Sequence, residues 1–87
     1  MKLVIAILKD DNTEAVLQAL TAQDFRATRV ASTGGFLHKG STTLLIGAED
    51  KRVDAAIDVI RENTSASEEG EKRATIFVVP VERFEQL

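Results

Sequence analysis

Eighty-seven residues make room for one domain, spanning 1–87, because a second would leave neither half with a core. With 44% hydrophobic residues, 29% charged residues and a single proline, the chain has the apolar content of a folding domain and lacks the signature of disorder. Zero cysteines and one histidine exclude a disulfide framework, a thiolate nucleophile, sulfur-held metals and multi-histidine metal sites, and a net charge of -3 argues against general binding to nucleic acid or an anionic membrane.

The opening run MKLVIAIL, stopped by Lys9, Asp10 and Asp11, reads as a first strand from Lys2 to Leu8. It is too short for a transmembrane helix and lacks a cleavage region, so a cytoplasmic protein is expected. Val16, Leu17 and Leu20 recur at helical spacing and predict an amphipathic helix from Thr13, ending near Gln23. Phe25 to Ser32 reads as a second strand, TGGFLHKG as a glycine-bearing loop, and STTLLIG as a third strand, making a long-looped hairpin. Asp50 is placed to cap a second helix, whose apolar stripe is Val53, Ala56, Ile57 and Ile60 and whose end falls near Asn63. A polar loop from Thr64 to Lys72 follows, then a last strand from Arg73 to Val81, and a tail from Glu82 to Leu87 able to make one helical turn.

The order β-α-β-β-α-β predicts an α+β, ferredoxin-like sandwich: four strands in one antiparallel sheet with both helices on one face. LVIAIL, LLIG and TIFVVPV do not alternate apolar with polar residues, so both of their faces are expected to be buried. A homo-oligomer packed through its sheets, as a closed dimer or trimer, would cover the second face.

No catalytic constellation emerges. His38 lies near Ser41 and Thr42, but no acidic residue in that stretch can orient an imidazole as a serine nucleophile requires. The carboxylates Asp54, Asp58 and Glu62 share a solvent face with basic neighbours. GFLHKGS is not a P-loop, because Lys39 precedes Gly40 and a strand follows where a helix should.

Phe25 to Ala48 nevertheless contains no acidic residue while carrying Arg26, Arg29, His38 and Lys39, which makes it the place to look for an anion. Pairing Ser32 with Ser41 across the hairpin sets Thr28 beside Leu45 and Arg26 opposite Gly47. Arg26 then extends over a position with no side chain, near the hydroxyl of Thr28 and a glycine loop bearing Phe36, an arrangement suited to an anionic ligand with a ring. The other reading pairs Arg26 and Arg29 with carboxylates of a neighbouring subunit.

FRAT with TGGFL a few residues later, a glycine ending the next strand and a closing V-P-V-x-x-F carry a resemblance over most of the chain. The sequence resembles the PII-like cyclic di-AMP receptor family of bacteria. That resemblance implies a non-enzymatic homotrimer that binds cyclic di-AMP in clefts between subunits and relays the signal through loop changes to a downstream protein partner, with no cofactor and no metal. Family contacts fall on Arg26, Thr28, Gly35, Phe36, Leu37 and Gly47, with Phe77 and Gln86 added from the last strand and tail. Two departures stand out: Ser41 takes the place of an asparagine just after the loop glycine, and the loop from Thr64 to Lys72 is short. The first bears on adenine recognition, since a hydroxyl replaces an amide, and the second on partner choice. The alternative reading is a trimeric regulatory scaffold of the same kind that binds another nucleotide or only a protein partner.

Overall fold

The computed structural model describes residues 1–30, 40–65 and 72–87. Its elements are β1 (Lys2–Lys9), α1 (Asp10–Ala22), β2 (Arg26–Val30), β3 (Ser41–Ala48), a 3-10 turn (Asp50–Arg52), α2 (Val53–Glu62) and β4 (Ala74–Pro80). The strands form one antiparallel sheet in the order β2-β3-β1-β4, with the two N-terminal-half and C-terminal-half βαβ units interleaved as in the ferredoxin-like arrangement.

Period-two alternation decides what each strand buries. Val4, Ala6 and Leu8 of β1 and Leu44, Ile46 and Ala48 of β3 point to the helices, where they form one cluster with Val16 and Leu20 of α1 and Ala56, Val59 and Ile60 of α2. Both helices therefore cover the same face of the sheet. Each fully buried aliphatic side chain contributes roughly 1.5–3 kcal/mol, so this cluster is the main source of stability. The helical stripes differ slightly from expectation: Thr13 and Val59 are buried, while Leu17, Val53 and Ile57 lie at the margin.

α1 begins at Asp10, three residues earlier than its apolar periodicity indicates, because β1 runs into it without a loop. Asp10 and Asp11 occupy its first turn, where negative charge favours the helix dipole, and Thr13 Oγ1 donates to the Lys9 carbonyl at 3.1 Å. At its other end the Asp24 N–H reaches the Thr21 carbonyl at 3.0 Å and the Phe25 N–H the Leu20 carbonyl at 3.0 Å, a Schellman closure with Asp24 at φ 64°.

Two expectations are corrected. Asp50 does not cap α2; it opens the 3-10 turn, and its carboxylate pairs with the chain's N-terminal ammonium at 3.0 Å. That hydrogen bond holds the Asp50 carboxyl below its ordinary pKa. The tail after Pro80 forms no helical turn and runs irregularly, with an Arg83–Glu85 ion pair.

The face of the sheet away from the helices carries three rows of side chains that cross all four strands, with the pair Lys9 and Ser41 beyond them. Arg26, Gly47, Leu3 and Val79 form one row, Thr28, Leu45, Ile5 and Phe77 the next, and Val30, Thr43, Ile7 and Thr75 the third. Most of this surface is apolar, and within the single chain Phe77 remains 52% exposed and Val79 37% exposed. Among the described residues no helix is long and apolar enough to cross a membrane.

Candidate functional site

The hairpin register is the one that the sequence indicates: Arg26 lies opposite Gly47 and Thr28 opposite Leu45. Side chains of antiparallel partners project from the same face, so Arg26 and Thr28 both stand on the open face, with no side chain at Gly47 opposite Arg26. Among the described residues the Arg26 side chain has no ion pair or hydrogen bond. Arg29 is different. It is on the helix side of β2, where it pairs with Glu14 of α1 at 3.3 Å, so only one of the two β2 arginines is available to a ligand.

A pocket of about 590 Å³ opens at this end of the sheet. Arg26, Thr28 and Gly47 line it together with Gln86 from the tail, which joins four of the residues singled out in the sequence. The pocket exists because β1 is central: its first residues pair with the end of β3 on one side and the end of β4 on the other, and the tail then crosses the rim, with the Val81 N–H bonded to the Met1 carbonyl at 3.1 Å. Leu3, Leu45, Val81 and Phe84 supply apolar walls, and Lys2 borders the rim, its register with Ala48 setting its side chain on the helix side of the sheet. Such a mixture of apolar surface with a cation suits an anion bearing a ring.

Gly47 is part of the lining. A methyl group built there would meet the Met1 Cε at 3.1 Å, the tip of a flexible side chain, so the glycine leaves room on this part of the pocket lining that Met1 partly uses. Sequence reasoning missed Phe84, Asp24, Met1, Lys2 and Leu3. Phe84, 63% exposed, has a signal in the V-P-V-x-x-F ending, but that pattern alone does not place its ring in a pocket wall.

Two other residues from the sequence lie elsewhere in the chain. Ser41 is opposite Lys9, at the far end of β3; six residues separate it from Gly47, roughly 20 Å of strand. It lines a second cavity of about 570 Å³ with Lys9, Asp10, Gly40, Lys72 and Arg73. Phe77 stands in the middle row of the open face, opposite Ile5, outside the Arg26 pocket. Gly35, Phe36 and Leu37, with His38 and Ser32, lie outside the described residues. Among the described residues no cluster of histidine, cysteine, aspartate or glutamate could hold a metal ion.

Comparison with known proteins gives two findings. Residues 1–70 match the family described as cyclic-di-AMP receptor. Among solved structures, the chain is similar to a functionally unknown protein from Pediococcus pentosaceus ATCC 25745, with a TM-score of 0.80 and 36% identity, over 99% of this chain and 96% of that one.

Proposed function

Since the chain belongs to the cyclic-di-AMP receptor family, we propose that it is a non-enzymatic, cytoplasmic signalling protein that binds cyclic di-AMP between the subunits of a homotrimer and relays its presence to a protein partner. The observation that carries this reading is Arg26, whose guanidinium has no partner among the described residues and which is opposite Gly47 and shares a pocket with Thr28, Phe84 and Gln86. A guanidinium suits one phosphodiester, the Thr28 hydroxyl can donate to the same group, and an aromatic wall suits a purine.

The separation of the other residues favours a site shared between subunits. With Ser41 about 20 Å of strand away from Gly47, it reaches a ligand in the Arg26 pocket from a neighbouring copy, and the family resemblance assigns Gly35, Phe36 and Leu37 to the same ligand. The row of partly buried Ile5 and Leu45 and exposed Phe77 gives such copies an apolar surface to pack through. The loop from which Phe36 comes is then both a ligand contact and the segment whose change a partner would read.

Calorimetric titration of the purified protein with cyclic di-AMP, with ATP, AMP and cyclic di-GMP as controls, tests the reading. A saturable isotherm for cyclic di-AMP is expected. Arg26→Ala should weaken it roughly 10- to 100-fold, the worth of a charge-assisted hydrogen bond of about 1.5–3 kcal/mol, without lowering the melting temperature, because the side chain is exposed and has no partner among the described residues. Folded protein that gives no saturable heat with cyclic di-AMP overturns the reading and leaves the partner-binding scaffold.

A further inference from the structure

Asp24 is the only carboxylate among the described lining residues of the Arg26 pocket. Its backbone, at φ 64°, is in the left-handed region that glycine ordinarily fills after a helix, because a Cβ there crowds the neighbouring carbonyl. The turn does not need the side chain. Backbone bonds from Asp24 to Thr21 and from Phe25 to Leu20, both 3.0 Å, close the helix by themselves. Among the described residues the carboxylate has no hydrogen bond and no ion pair, although Arg26 and Lys2 line the same pocket.

A side chain that strains its turn, bonds to nothing in the chain and borders a ligand pocket points to a role toward the ligand. We propose that Asp24 accepts a hydrogen bond from a ribose hydroxyl of the bound nucleotide and makes the pocket selective for ribose over 2′-deoxyribose; this rests on the nucleotide reading above. An ionised carboxylate only accepts, so its partner on the ligand must donate. A phosphodiester has no proton to give and belongs with Arg26. Donors on the ligand are the sugar hydroxyl and the exocyclic amine of the base. Asp24 is two residues from Arg26, at most about 7 Å along the chain, and in a nucleotide the sugar hydroxyl adjoins the phosphate ester while the amine lies a ring system further out. The sugar hydroxyl is therefore the better match, and a 3′,5′-linked cyclic dinucleotide keeps its 2′-hydroxyl free. Guanidinium and carboxylate would divide the two parts of one nucleotide between them.

The test is a thermodynamic cycle: calorimetric titration of wild-type protein and Asp24→Gly with cyclic di-AMP and with its 2′-deoxyribose counterpart. Wild type should prefer the ribose ligand by roughly tenfold or more, and Asp24→Gly should lose that preference while binding the deoxy ligand as well as wild type does. The glycine variant should melt no lower than wild type, which separates a ligand contact from a structural one. An unchanged ribose preference in Asp24→Gly overturns this proposal alone. No binding of either ligand by folded wild-type protein overturns both this proposal and the nucleotide reading beneath it.

Discussion

Replacing Gly47 with alanine should separate binding from folding. The new Cβ would sit on the lining of the Arg26 pocket, where its tight contact is the Met1 Cε at 3.1 Å. Ordinary van der Waals contact between carbons lies near 3.5–4.0 Å, so the methionine tip must withdraw by a few tenths of an ångström, which its rotatable side chain can do at little cost. Against that, alanine removes the backbone entropy that a strand glycine loses on folding, worth roughly 0.5–1 kcal/mol. The φ at Gly47 is not in the left-handed region, so the backbone does not oppose the change. Net stability should stay level or rise by up to about 1 kcal/mol, which is at most about 4–8 °C in Tm for a domain of this size. Binding should respond in the other direction. A methyl group pressed into a ligand contact costs on the order of 1–3 kcal/mol, a loss of about 5- to 150-fold. Calorimetric titration with cyclic di-AMP and a thermal melt on the same preparation read both quantities. A variant that melts well below wild type would refute the claim that only a yielding side chain borders the glycine, and one that binds as wild type does would refute Gly47 as part of the lining of the ligand site.

The remaining expectations concern the core and the open face. Leu44, fully buried at the centre of β3, should lose about 2–5 kcal/mol on substitution by alanine, seen as a fall in Tm of roughly 10 °C or more; a change within a few degrees would contradict its place in the core. Phe77→Asp should abolish self-association in light scattering while leaving the circular dichroism of the fold intact, since the ring is half-exposed in the single chain and an unpaired charge buried between copies costs several kcal/mol. Unchanged subunit association would show that copies do not pack through this row.

Much of the fold was legible because strands and helices leave periodic marks. The apolar runs of β1, β3 and β4 and the helical stripe around Val16 and Leu20 gave the element order, and that order admits few topologies. Boundaries were less legible. Asp50 stands where a helix cap belongs, yet its carboxylate is taken by the terminal ammonium, a partner that comes from the other end of the chain. The tail after Pro80 carries no periodicity strong enough to decide between a helical turn and the irregular course it follows.

The same division holds for the candidate site. From the sequence alone came the pairing of Arg26 with Gly47 and of Thr28 with Leu45, because the side-chain period of a strand is two and one assumed pair across a hairpin fixes all the others. Tertiary structure decided the rest. It put Arg29 on the opposite face against Glu14, moved Ser41 and Phe77 away from the Arg26 pocket, and brought in Lys2, Leu3, Asp24 and Phe84. Those residues come from the chain's first strand, a helix end and its last segment, which are neighbours only because β1 lies between β3 and β4 in the sheet. A local pattern records which way a side chain points, whereas long-range strand pairing determines what it meets there.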